Sequence, residues 1–308
     1  MSHISKGDAL RTITTRVRGL ATYRPQERTR ELLYKVQAVL NEYAAHLPLT
    51  VRQVFYRLVG VHGYDKTEQA YARLCELLNR ARRAGFIRFD AIRDDGITLA
   101  KPIAWTDAGE FVHDCIAHAE QFRLDRQKGQ PVRLMFAVEA AGMLPQVRRL
   151  ADPFGIAVHS SGGFDSVTAK YELAHALGQW PRVEVLHIGD HDPSGVHLYT
   201  SMAEDVQTIA HDLGLGSEIR FSRLAVTPAQ ITELSLSTAP PKPTDQRSFT
   251  GETVQCEAIA PDVLADIIRA AIEYRFDAAA YASVRQEEEE ARKTLGASLR
   301  PLLKGFGQ

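Results

Sequence analysis

Apolar residues in the first ninety positions recur at helical spacing. Between residues 26 and 47, Leu32, Leu33, Val36, Val39 and Leu40 fall on one face, which predicts an amphipathic helix. HLPLT breaks that pattern, and Thr50 is placed to cap a short helix, VRQVFYRLVG, that stops at Gly60. A third helix is expected over about 66–84, then a short apolar piece, FIRF, a DDG turn and ITLAKPIAW. Three short helices followed by a small hairpin are the pattern of a winged helix-turn-helix module. Many three-helix modules never touch DNA, so the pattern alone does not fix a role.

Residues 107–124 read as a connecting helix. The polar stretch DRQKGQ, 125–130, has linker composition and separates an expected N-terminal unit, 1–124, from a second, 131–308. From there strands and helices alternate. VRLMFAVEA is an apolar run ending in Glu139, followed by a helix to about Leu150 and a second strand, FGIAVHS. SGGFDS is a glycine-containing turn, 167–178 a helix, VEVLHI the third strand, and EIRFSRLAV another strand after a helix over about 195–213. This alternation predicts an α/β fold, a parallel sheet with helices on both faces. TPAQITEL is a short helix with Thr227 as N-cap and Pro228 in its first turn. STAPPKPTDQRSFTGET is a Pro-rich loop, and two helices finish the chain, with the EEEE run at 287–290 expected on a solvated face.

Composition changes this picture little: 308 residues, 44% hydrophobic and 24% charged, are those of an ordinary globular protein. Cys75, Cys115 and Cys256 form no CxxC pair, so neither a disulfide framework nor a zinc knuckle is indicated. No apolar run approaches the roughly 18 residues that span a membrane. The start, MSHISKGDALRT, has no signal-peptide core, so a cytoplasmic protein without membrane contact is expected. Charge changes the picture more. Residues 1–93 carry 17 Lys/Arg and 8 Asp/Glu, a net of +9, and the remainder carries 20 and 30, a net of −10. A basic front end on an acidic body suits contact with a polyanion, and it equally suits a basic solvated surface.

The densest candidate chemistry is LHIGDHDPSG, 186–195: a buried strand delivering Asp190 and Asp192 to its C-terminal tip, with a helix leaving at once. In open α/β sheets that tip is where ligands bind. Two acids there repel each other, and oxygen-only ligands favour a hard ion such as magnesium. Glu139, at the end of an earlier strand, would join them if the strands are neighbours, giving a site that brings a divalent metal to a phosphate. A single strand-end acid often only caps the next helix, as Asp192 could for the helix beginning at Pro193. On the VRQVFYRLVG helix, Val51, Val54, Phe55, Leu58 and Val59 share the buried face, and Tyr56 sits at its margin with Arg52 on the same flank. A phenol held off the core beside a guanidinium suits attack on a phosphate, the cation favouring phenolate character. A half-buried structural tyrosine is the other reading. Arg80, Arg82, Arg83, Arg88 and Arg93 could contact DNA phosphates and set register, or be ordinary solvated arginines. His159, His187 and His191 read as structural, because none forms a zinc pair on a helix face.

Taken together, these motifs resemble a known family. Glu139 followed by GDHDPSG resembles a Toprim domain, whose signature is one Glu and an Asp-x-Asp. TVRQVFYRL, with Arg52 four residues before the second of two adjacent aromatics, Phe55 and Tyr56, resembles the tyrosine segment of topoisomerase VI A subunits and the related meiotic double-strand-break proteins. SSGGFDSVTAK is similar to that family's glycine-rich turn, and the resemblance covers roughly residues 26–225 in the family's order. The short length is closest in kind to the mini-A homologues. The resemblance implies a winged-helix domain followed by a Toprim-like domain, with Tyr56 attacking duplex DNA to give a 5′-phosphotyrosyl link. It implies magnesium (Mg2+) on Glu139, Asp190 and Asp192, and a homodimer in which each tyrosine faces the other subunit's Toprim site. It also implies an ATPase B-type subunit as partner for strand passage. Where a lysine often follows the Toprim glutamate, Ala140, Ala141 and Gly142 follow here, and the C-terminal third has no counterpart in the resemblance. Two rivals stand beside this reading: a Toprim nuclease that uses metal and water without the tyrosine, and a non-cleaving DNA-binding subunit of a larger complex.

Overall fold

The computed structural model describes residues 20, 22–93, 103–160, 167–243, 245 and 247–305. The DDG turn, most of ITLAKPIAW and the SGGFDS turn lie outside the described residues.

Three helices open the described chain. Helix α1 (Glu27–Glu42) buries Leu33, Val36, Val39 and Leu40 of the stripe its periodicity predicts, with Leu32 partly buried beside them. Helix α2 (Val51–His62) starts at Thr50, whose side chain accepts from the Gln53 N–H while Gln53 caps back. It runs through Gly60 and stops at Gly63, where φ is +63°. A glycine ends a helix where the left-handed conformation is needed, and that place is Gly63 and not Gly60. Helix α3 (Glu68–Arg83) is capped by Thr67. Two short strands, β1 (Leu49–Thr50) and β2 (Ile92–Arg93), pair in parallel. Helix α4 (Ala108–Glu120) has Asp107 as N-cap and packs on the last long helix, α10 (Ala278–Leu299).

The second half is a four-stranded parallel sheet. Its strands are β3 (Arg133–Val138), β4 (Ala157–Ser160), β5 (Arg182–Ile188) and β6 (Glu218–Ala225), in the order β4-β3-β5-β6. Helices α5 (Leu144–Ala151), α6 (Val167–Leu177), α7 (Pro193–Asp212), α8 (Pro228–Glu233) and α9 (Pro261–Arg275) complete the α/β fold. The period of two divides the strands between two cores. Val183, Val185 and Ala137 meet α6 and α7 through Leu173, Ala174, Met202 and Val206. Leu186, Ile188, Leu134, Phe136 and Val138 face the other way, into a cluster that continues through Ile268 and Ile272 of α9 to Val36, Val54, Leu58 and Leu74 of α1–α3. Each fully buried side chain of this kind contributes about 1.5–3 kcal/mol. That shared cluster holds the N-terminal helices against the sheet.

Two segments expected to be solvated from composition each turn part of themselves inward, Arg126 and Gln127 in one and Glu288 in the other. In DRQKGQ, Arg126 and Gln127 are only 3% and 5% exposed. The Gln127 side chain exchanges hydrogen bonds with the Leu134 backbone at the start of β3. In the EEEE run, Glu288 is fully buried on α10, while Glu287, Glu289 and Glu290 are exposed. Glu288 accepts from Arg126 at 2.9 and 2.6 Å and from the Leu124 N–H at 3.1 Å. A helix turns one of four consecutive residues inward whatever their charge, and here a guanidinium meets it. Among the described residues, no helix is long and apolar enough to cross a membrane.

Candidate functional site

The chain leaves β3 for β4 on one side and returns to β5 on the other. The crevice at such a reversal, beyond the strand ends, is the ligand-binding place of open α/β sheets. Glu139 follows β3, and Asp190 and Asp192 follow β5, so the three predicted carboxylates stand at this crevice. Their backbones and side chains interlock. The Asp190 N–H donates to Glu139 Oε2 at 2.9 Å, and the Cys256 N–H donates to Asp190 Oδ1 at 2.8 Å. Asp192 is the N-cap of α7 and accepts from the Gly195 N–H at 2.6 Å, so the capping role is real. Gly195 is required by close approach: a Cβ there would lie 2.5 Å from the Asp190 carbonyl oxygen and 3.0 Å from Glu139 Oε2.

Electrostatics at the tip is dominated by desolvation. Burial, reinforced by the Asp190 carboxylate, pushes Glu139 up to about 7. Burial also raises Asp190, opposed by the Cys256 N–H and reinforced by Asp192. The local counter-charge is Arg223 on β6, beside His187 in register. Its guanidinium donates to the carbonyls of Gly189 (3.0 Å), Val226 (3.1 Å) and Asp190. His187 is fully buried and kept neutral, its pKa lowered by burial and by Arg223 to about 3.

Among the described residues, no group of three or more His, Cys, Asp or Glu side chains is placed to hold a metal ion. The donor chemistry fits a hard cation all the same. All three predicted ligands are carboxylates, and two of them are held above their ordinary range partly by mutual repulsion. Glu139 opens onto a cavity of about 420 Å³ shared with Arg52, Arg93 and Glu257.

Tyr56 is more buried than its place on the helical wheel predicts, at 9% exposure. The flank is covered by Gln255, far away in sequence, and by Lys66, ten residues on. The Tyr56 hydroxyl donates to Gln255 Oε1 at 2.9 Å, and the Lys66 ammonium stands 5.8 Å from its ring centre. Burial raises the phenol to about 12, outweighing the lowering effect of Arg52, and Asp190 and Glu257 add to the rise. The expected phenolate character is therefore absent in this state. Arg52 itself pairs with Glu257 at 3.8 Å and stacks over Tyr71 at 5.6 Å. Tyr56, Arg52, Lys66 and Asp192 line one cavity of about 760 Å³. The tyrosine and the carboxylate tip thus meet within a single chain.

The predicted arginine set lies around the end of α3 and on β2. Arg80 pairs with Glu76 at 2.6 Å, Arg88 with Asp90 at 2.8 Å, and the Arg83 Nε–H donates to Asn79 at 2.6 Å. Arg80, Arg82 and Arg83 all lie in the last turn of α3, and only Arg93 of the five borders the cavity with Glu139.

The residues that join the halves come from the segment after the Pro-rich loop. Gln255 holds Tyr56, Cys256 holds Asp190, and Glu257 accepts from Thr50 Oγ1 at 2.6 Å at the start of α2. No periodicity or motif marks this segment in the sequence. Gly142 has a packing reason: a Cβ there would lie 2.6 Å from Thr50 Cγ2. The Thr50 cap of α2 packs directly on the turn after Glu139.

Comparisons with protein-family models, curated proteins and solved structures give no match to this chain.

Proposed function

We propose that the chain is a magnesium-dependent DNA-cleaving protein of topoisomerase VI A type, a winged-helix unit carrying Tyr56 joined to a Toprim-like unit carrying Glu139, Asp190 and Asp192. The observation that carries this reading is the single cavity lined by Tyr56, Arg52 and Asp192. A phosphate in it would meet a nucleophile, a guanidinium and the edge of the carboxylate tip together. The Tyr56 oxygen would bond to phosphorus, the bond to the 3′ oxygen would break, and the phenol proton would reach that oxygen through water. The product is a 5′-phosphotyrosyl link and a 3′ hydroxyl. Arg52, half exposed, is free to turn from Glu257 to a non-bridging oxygen. Glu139, Asp190 and Asp192 would hold the metal, which supplies positive charge to the phosphate. Duplex DNA is the proposed substrate and a second copy of the chain the proposed partner. Strand passage would draw on a separate ATPase B-type subunit.

One observation favours a second reading. A buried phenol raised to about 12 is a poor nucleophile at rest, which suits a nuclease that hydrolyses DNA with water and leaves Tyr56 structural. Denaturant trapping with magnesium or manganese and labelled DNA separates the two. The tyrosine reading expects a protein–DNA adduct that disappears in both Tyr56→Phe and Asp190→Ala. An adduct that persists unchanged in Tyr56→Phe sinks it. Adduct-free cleavage that survives Tyr56→Phe but not Asp190→Ala establishes the nuclease.

A further inference from the structure

The cavity over Tyr56 has a wall that neither the tyrosine nor the carboxylates use. It is built by Lys66, ahead of α3, and by the loop between Ala239 and Thr253, which contributes Lys242 and Arg247. Backbone hydrogen bonds join Ala239 and Thr253 in both directions, at 3.0 and 2.7 Å, so the loop closes on itself. The Lys66 ammonium donates to the Thr238 carbonyl at the loop's start and so ties it to the connection between α2 and α3.

The charges on this wall are unevenly compensated. Arg247 is paired with Asp245 at 3.1 Å, and Arg52 with Glu257 at 3.8 Å. Lys66 is half-buried, and its hydrogen-bond acceptor is a neutral carbonyl. Glu252 reaches it only through the field, and burial lowers its pKa. Lys242 is exposed on the same wall, and among the described residues no ion pair joins it or Lys66 to a carboxylate. Glu68 also borders the cavity, without forming an ion pair to either lysine. A partly desolvated ammonium without an anion is costly unless an anion arrives. The wall also carries the Tyr71 and Phe55 rings. Cations along a groove beside aromatic faces are the means by which proteins hold single nucleic-acid strands. A volume of about 760 Å³ suits one or two nucleotides and is far too small for a duplex.

We propose that Lys66 and Lys242 form a phosphate subsite that takes a backbone phosphate of one DNA strand, next to the phosphate presented to Tyr56. The subsite deepens the cleavage reading and rests on it for the identity of the strand. It implies that the duplex presents one strand to the cavity, locally unpaired from its complement.

Binding without magnesium tests this apart from cleavage. The full chain is titrated, in EDTA and at several salt concentrations, into a fluorescein-labelled 12-nucleotide single strand, a 20-base-pair duplex, or inorganic phosphate as competitor. For the single strand, each of Lys66→Gln and Lys242→Gln should lower the log–log salt slope by about 0.7, and the double variant by about 1.4. The double variant should bind the strand roughly tenfold more weakly at low salt and lose proportionally less on the duplex. Lys66→Arg should keep the wild-type slope, which separates charge from the tie to Thr238. Lys128→Gln, remote and paired with Glu287 at 3.0 Å, should change nothing. An unchanged slope in the double variant overturns the subsite, as does an equal loss in Lys128→Gln. Greater loss on the duplex, or inorganic phosphate binding as tightly as the strand, overturns the single-strand assignment. An adduct that persists in Tyr56→Phe would defeat the cleavage reading and leave these slopes untouched.

Discussion

The Tyr56 hydroxyl donates to the Gln255 carboxamide oxygen at 2.9 Å, across 199 residues of chain. The next residue, Cys256, donates its N–H to Asp190. Two adjacent residues therefore fix the position of the candidate nucleophile and that of a candidate metal ligand. Removing one partner of a buried hydrogen bond strands the other. Gln255→Leu should cost about 1–3 kcal/mol in urea unfolding and Tyr56→Phe about 1 kcal/mol. The double variant should cost less than the sum, and strict additivity would show that the two side chains do not interact in solution.

Glu139 takes up its proton near pH 7 in the folded chain, against about 4.5 ordinarily. Between those values the folded state holds more protons than the unfolded one. This contribution to stability is full below about pH 4.5 and is lost as pH rises to about 7. After discounting for solvent screening the loss is roughly 2 kcal/mol. If Glu139 is a magnesium ligand it acts in its ionised form, so magnesium should raise Tm at pH 8 and do little at pH 5.5. Magnesium at a hundredfold excess over its Kd would add about 2.7 kcal/mol at pH 8. Thermal scans of wild type and Glu139→Gln check this, and the same magnesium response in both would exclude Glu139 as a ligand.

Arg126 and Glu288 form a buried pair at 2.6 Å. Glu288→Ala leaves a buried guanidinium without its carboxylate and should cost about 3–5 kcal/mol. Glu290→Ala, two residues on and exposed, should stay within about 0.5 kcal/mol. Equal effects in denaturant unfolding would place Glu288 at the surface.

Two glycines offer an opposed pair. Gly142→Ala drives a methyl against the Thr50 cap, 2.6 Å away, and should destabilise by about 1–3 kcal/mol. Gly60→Ala, inside α2 with nothing within 4 Å, should stabilise by about 0.4–1 kcal/mol. Stabilisation in both would mean that the Thr50–Gly142 contact is not present in solution.

Local signals in the sequence were enough for the elements. The 3.6-residue stripe of α1, the Thr50 and Thr227 caps and the apolar β3 and β5 are properties of neighbouring residues, and they appear where the pattern puts them, whereas α2 also buries Gln53 and Tyr56 and leaves Val51 and Val59 only partly buried. The carboxylates at two strand tips were legible for the same reason, since a tip is fixed by where an apolar run ends. Other features depended on what packs against them. Arg126 and Glu288, single residues of the polar 125–130 and 287–290 stretches, are buried because they pair with each other across 162 residues, while most of their neighbours stay exposed. Tyr56 lies at the edge of its helical stripe, and whether such an edge is wet or dry is decided by what covers it, here Gln255 and Lys66. Periodicity reports the side of an element a residue faces. Only the tertiary fold supplies what stands opposite, and that sets the burial, and with it the protonation, of Tyr56 and Glu139.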